Sequence, residues 1–197
     1  MRNRGLLRQI APICGRNGCP RRMTQVKDAS SINDGYKWRC PSHKSKKISI
    51  RSGSFFENAK FQLRKGLMLG YCWALSLPIH TQVQIVRLTE KHVIDWNSFF
   101  RDVCSRWLIQ QPIRLGGVGS VNHRQNFVCP VTGTHTNHVE NFWKNLKMKN
   151  KAMSGTLRDM LPGYMDEYMW RQFNGKKTLA AFDNIFDQIS QFYVVNV

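Results

Sequence analysis

The chain has 197 residues, with 30 Lys+Arg against 12 Asp+Glu, six His, six Cys and a formal net charge of +18. That length holds one domain or two small ones, and a 42% hydrophobic content excludes wholesale disorder. The opening MRNRGLLRQIAPIC breaks its apolar run at Arg8 and Gln9, so secretion is not expected. The longest uncharged apolar stretch, Gly66 to Ile79, is 14 residues with Pro78 inside it, which suits a buried helix and not a membrane span.

The charge is uneven. Residues 1–65 carry 16 Lys/Arg and three Asp/Glu, a net +13, and residues 66–197 carry a net +5. Cationic density of this kind neutralises phosphates and releases counterions, which points to nucleic acid. An anionic membrane surface or a merely solvated basic face would fit the same numbers.

In chain order, residues 1–56 read as a small β-rich unit. Tyr36, Trp38 and Cys40 alternate with Lys37 and Arg39, and Ile48 and Ile50 alternate again. Asn33-Asp34-Gly35 is a turn signal ahead of the first of these strands. Residues 58–77 read as a helix that is apolar almost all round and ends before Pro78. Thr81 and Gln84 fit a capping box opening a short helix to about Leu88.

Thr89 then caps a longer helix, with Val93, Trp96, Phe100, Val103 and Trp107 as its apolar stripe. Helix, short helix, tight turn, longer helix is the layout of a helix-turn-helix. An ordinary three-helix core with no ligand fits the pattern equally. Gln110–Ser120 reads as a linker, and SVNHRQNFV as a strand followed by a turn at 130–133. Helices are expected at about 136–148, with Val139, Phe142, Trp143 and Leu146 buried, at 163–173 after Pro162, and at 179–193, with Leu179, Phe182, Phe186, Ile189 and Tyr193 inward.

Two pairs of metal-ligating residues flank a hairpin-sized stretch. Cys14 and Cys19 are five apart, and Cys40 and His43 are three apart. Two such knuckles can clamp one tetrahedral zinc ion, which would stabilise a segment too small to build much core. Reduced, unliganded thiols are the alternative. Cys72, Cys104 and Cys129 read as buried thiols, and a disulfide framework is not expected. His135, His138 and Glu140 are close in sequence, but on a helix residues 138 and 140 point apart, so they predict one contribution to a wider site and no self-contained metal site.

Three stretches together carry a resemblance. DGYKWRC…SIRSGSFFENAKFQL (34–63), VIDWNSFFRDVC (93–104) and VNHRQNFVCPVTGTHTNHVENFWKNLK (121–147) resemble Merlin-type DDE transposases, related to the ISXO-type insertion-sequence enzymes of bacteria. GYMDEYMWRQF (163–173) is similar to that family's closing helix. The resemblance implies a zinc-ribbon-like and helix-turn-helix DNA-binding part. It also implies an RNase H-like core that cuts and joins DNA through two divalent ions held by two Asp and one Glu or Asn, about 4 Å apart.

Glu140 matches the third acidic position. The first two should lie between GGVG and VNH, yet Gly119 is followed almost at once by Val121-Asn122-His123. Only 78 residues run from Ser120 to the end. A five-stranded mixed sheet with about 6 residues per strand, crossovers of about a dozen or more and flanking helices needs more than about 100.

The expected fold is therefore mainly α, with a small β-rich zinc-ribbon-like unit at 1–56, a helix-turn-helix region at 57–110, a linker at 111–120 and a truncated RNase H-like remnant at 121–197. The expected function is that of a transposase-derived DNA-binding protein unable to catalyse transposition. A DDE transposase active only with a full-length partner, and a non-functional remnant, stand as alternatives. Arg39, Lys44, Lys46, Lys47 and Arg51 are expected phosphate contacts, and Lys91, His92 and Arg101 groove or backbone contacts. Cys14, Cys19, Cys40 and His43 are the expected zinc ligands, and Mg²⁺ enters only if a partner completes the site around Glu140. The expected partners are double-stranded DNA and a full-length transposase or a second copy, with no membrane. This reading places the protein in the nucleus of a eukaryote, or otherwise in the cytoplasm.

Overall fold

The computed structural model describes residues 1–111, 137–153 and 155–195. The fold is mainly helical, with a three-stranded antiparallel sheet near the N-terminus, in the order β1 (Thr24–Lys27), β2 (Tyr36–Arg39), β3 (Lys47–Ser49). Six α-helices follow: α1 (Leu63–Ala74), α2 (Ile79–Val86), α3 (Glu90–Ile109), α4 (Asn137–Ala152), α5 (Leu161–Asn174) and α6 (Thr178–Phe192). Residues 112–136 carry the rest of the expected linker, the strand SVNHRQNFV, Cys129 and His135, and these lie outside the described residues. Among the described residues no helix is long and apolar enough to cross a membrane.

The chain divides into two compact units, Met1–Val103 with Arg171–Val197, and Cys104–Trp170. The expected division kept 121–197 together, whereas the structure groups the last helix with the N-terminal part. The physical reason lies in α6. It buries Ala181, Ile185, Phe186 and Ile189, and the Phe186 ring seats on Gly70 of α1, where a Cβ would come within 2.5 Å of it.

Within the first unit, Trp38 and Cys40 are buried as the alternation predicts, while Tyr36 is exposed at the sheet's end. Trp38 pairs with Gln25 on one side and Ile48 on the other. The turn before β2 forms at Ser31–Gly35, with Gly35 at a φ of 71°. Helix α1 is shorter than the expected 58–77. Its N-terminal side gives way to successive turns over 51–60, and Ser76, at a φ of 55°, stops it ahead of Pro78. It is also not apolar-buried all round, for Met68, Tyr71 and Leu75 are exposed.

The capping box at Thr81 does not form. Pro78 itself sits at the N-cap, so Thr81 lies inside the first turn of α2, and the buried Gln82 carries the polar contacts, to the Leu77 carbonyl (2.8 Å) and to Asn97. Arg87, at a φ of 53°, closes α2, and Thr89 Oγ1 accepts the His92 N–H at 3.4 Å at the start of α3. Along α3, Val93, Trp96, Phe100 and Val103 are buried as their spacing predicts. Cys72 and Cys104 are buried thiols, and the described cysteines form no disulfide.

In the second unit, Lys149 of α4 meets Glu167 of α5 at 3.4 Å, and Phe142 packs edge-on to Tyr168 at 5.0 Å. Leu146 is buried, but Trp143 is exposed, against the expected stripe. Leu179 in α6 and Tyr193 just past it are likewise exposed, because the helix turns the 181/185/188/189 face inward. Pro162 falls within the first turn of α5 and does not precede the helix.

Candidate metal centre and basic surface

Four side chains converge in the N-terminal unit. One ligand atom each from Cys14, Cys19, Cys40 and His43 lies within 4.8 Å of every other. The wide first spacing, C-x-x-x-x-C, is taken up by left-handed backbone at Gly15, Asn17 and Gly18 (φ 63°, 49° and 74°). That coil lets the Gly15 N–H reach the Cys19 carbonyl at 3.1 Å and brings the two thiols together. The second knuckle is tighter. The His43 amide donates to Cys40 Sγ at 3.3 Å, and the Lys46 amide to the His43 carbonyl at 2.8 Å. Arg16 ties the knuckles together by donating to Ser45 Oγ at 3.0 Å.

His43 Nδ1 stands 3.5 Å from Cys14 Sγ and 3.8 Å from Cys40 Sγ. Tetrahedral zinc with ordinary bond lengths separates a thiolate sulfur from an imidazole nitrogen by about 3.6 Å. The donor set and its spacing therefore fit a zinc-type ion. Burial pushes the Cys40 thiol up, and amide donation from His43 and Ser42, with the Cys14 and His43 side chains, more than reverses this, to about 6. Cys14 is pushed up, chiefly by burial. Cys14 and Cys40 also belong to the local core, with Met23, Trp38 and Ile50. Sequence spacing located all four of these residues.

The expected DNA contacts fare unevenly. Lys44 and Lys91 are exposed, and Arg39 and Lys46 are half-buried. Lys47 is exposed but ion-paired to Asp28 at 2.7 Å. Arg51 is corrected outright. It is 3% exposed, clamps Asp34 through Nε and Nη2, and donates to the Ala59 and Phe61 carbonyls at 2.7 Å each, so it is structural and cannot reach a phosphate. Arg101 is corrected likewise, being buried along α3 and donating to Ser98 Oγ at 2.7 Å. His92 is half-buried with Nδ1 2.6 Å from Thr89 Oγ1.

Arg21, Arg22 and Lys27, which the sequence did not single out beyond its charge count, are exposed beside the first knuckle and on β1. Asp28 and Asp34 are both spent on internal partners, so among the described residues no carboxylate pairs with these three cations. Glu140 is exposed on the first turn of α4, and among the described residues no group of three metal-ligating side chains includes it. No protein-family model, curated protein or solved structure matches the chain.

Proposed function

We propose that the chain is a transposase-derived protein that grips duplex DNA through a zinc-clamped N-terminal unit and does not cut it. One observation carries the reading. In the segment with the charge surplus, the two aspartates lie inside the fold, Arg21, Arg22 and Lys44 stay exposed next to the residues of a Cys₃His cluster, and Lys27 stays exposed on β1. Zinc supplies structure there, fixing the knuckles that carry the cations. The helix-turn-helix reading of α1–α3 places Lys91 at the duplex. The exposed side of α3 also carries Glu90, Asp95 and Asp102, so the phosphate grip is assigned to the N-terminal unit.

Strand transfer needs two ions held by several carboxylates, and the sequence retains one matching position, Glu140. The exposure of Glu140 favours one second reading, in which a full-length transposase supplies the missing acids. Fluorescence anisotropy with a blunt duplex across a salt series tests the first. Four neutralised phosphates predict a log–log slope of about −3 to −4, made shallower by Arg21→Gln with Lys44→Gln. Absence of binding at low salt refutes it. Mg²⁺-dependent nicking that Glu140→Ala abolishes, in the chain alone, would refute the non-cutting part. Nicking only in a mixture with a full-length relative would establish the second reading.

A further inference from the structure

A cleft of about 610 Å³ opens in the first unit, away from the metal centre. Its walls come from the turn at 55–60, the N-terminal half of α3 and Tyr193 just past α6. The floor is aromatic. Trp96 is buried, with Phe55 edge-on at 5.2 Å and Phe99 edge-on at 5.7 Å, and Tyr193 stands 5.0 Å from Phe55. Phe99 and Tyr193 are 46% and 39% exposed, so two ring faces or edges of a connected aromatic cluster remain open to a ligand.

The rim is charged. Lys60 and Lys91 are exposed on it, with the half-buried His92 nearby and Asp95 as a carboxylate on the same helix.

This combination defines its occupant. Exposed aromatic rings offer stacking to a flat π-system, and stacking accepts any nucleobase. Two lysines at the rim offer neutralisation of a phosphate attached to that π-system. Asp95 can accept from an exocyclic amino group, as Asp and Glu do from cytosine. The volume falls within the range of about 300–1,000 Å³ usual for small-ligand sites, large enough for a nucleotide.

We infer that this cleft takes a single unpaired nucleotide of DNA, its base stacked against Phe99 and Tyr193 and its phosphate held by Lys60 and Lys91. The inference rests on the DNA-binding reading and adds to it a preference for frayed or single-stranded ends.

The full zinc-loaded chain is titrated with a blunt duplex and with the same duplex bearing a short single-stranded overhang that contains 2-aminopurine. The overhang duplex should bind about tenfold tighter, in line with stacking contributions measured at other sites, and the 2-aminopurine emission should be quenched. Phe99→Ala, at a half-exposed position, should abolish both effects and leave the blunt-duplex affinity unchanged. Lys60→Gln should reduce the preference and keep the quenching.

Equal binding of the two duplexes with unchanged emission overturns the cleft assignment and leaves the duplex reading standing. A preference that survives both variants also overturns it. Failure to bind either duplex removes both readings at once.

Discussion

Arg51 shows how one side chain can look like surface and serve as framework. It stands in KKISIR, a run that reads as one basic strand, yet its guanidinium is fixed by Asp34 and two carbonyls in a site where both partners are nearly dry. Removing one member of a buried pair leaves the other charge unpaired, at a cost of about 3–5 kcal/mol. Arg51→Ala should therefore lower the unfolding free energy by that amount, read as a fall in the urea midpoint. Arg51→Lys should recover little, since an ammonium cannot reproduce the planar fork.

Asp28 answers a different question, that of pH. Donation from Lys47, then from Ser30, holds its carboxyl well below the usual carboxylate range. The folded state therefore binds this proton more weakly than the unfolded state. The stabilisation is full above the ordinary carboxylate value of about 3.9 and fades as pH falls below it. Asp28→Asn should be less stable than the parent at neutral pH, and the two should converge in acid, as read by urea unfolding in saturating zinc. A gap that does not close in acid would place the stabilisation elsewhere.

At the scale of elements, the helices were legible where two signals agreed and not where one stood alone. α3 has a cap, Thr89, and a stripe at steps of three and four, and both form. The Thr81 box had only its own letters, and Pro78 placed the start of α2 ahead of it. The stripes of α4 and α6 rest on the spacing of apolar residues alone, with no cap beside it. Trp143, Leu179 and Tyr193 are apolar enough to join a stripe, but which face turns inward is set by neighbours distant in sequence.

The Cys/His cluster was visible because ligand chemistry restricts both residue type and spacing, while the Arg51–Asp34 pair, 17 residues apart, has no such signature.

α1 carries the hidden constraint. Gly66 and Gly70 lie one turn apart, and their missing Cβ atoms admit the rings of Phe56 and Phe186, which a methyl would approach to 2.8 Å and 2.5 Å. Alanine is the better helix former by about 1 kcal/mol. The forced displacement of a packed ring costs about 1–3 kcal/mol. Gly70→Ala should thus be net destabilising by up to about 2 kcal/mol, and Gly70→Ala with Phe186→Leu should recover part of the loss. A Gly70→Ala chain more stable than the parent would show that α6 does not depend on this close approach.

For the whole molecule, the question is what holds the sheet. Its strands are three or four residues long, and the buried cluster behind them is Cys14, Met23, Trp38, Cys40 and Ile50. Two of those five belong to the Cys/His cluster that could hold a metal, so the candidate metal site and the core are one structure. A short three-stranded sheet with so few apolar partners is marginal alone. A structural zinc bound at the cluster would contribute about 10 kcal/mol or more, enough to hold such a sheet. The rest of that unit has its own support, from Leu69, Trp73, Phe100, Phe186 and Ile189, none of which is a metal ligand.

Removing the metal should therefore divide the response. Hydrogen exchange on the full chain after chelation should show β1–β3 losing protection while α1 and α6 keep theirs. Duplex affinity should fall with the sheet, because Arg21, Arg22, Lys27 and Lys44 are positioned by it. Cys19→Ala should reproduce both losses with zinc present. Restoring zinc to the parent chain should reverse them, at one equivalent per chain. If β1–β3 stay protected in a demonstrably metal-free chain, the four side chains are an ordinary thiol cluster and the cations owe their placement to packing alone.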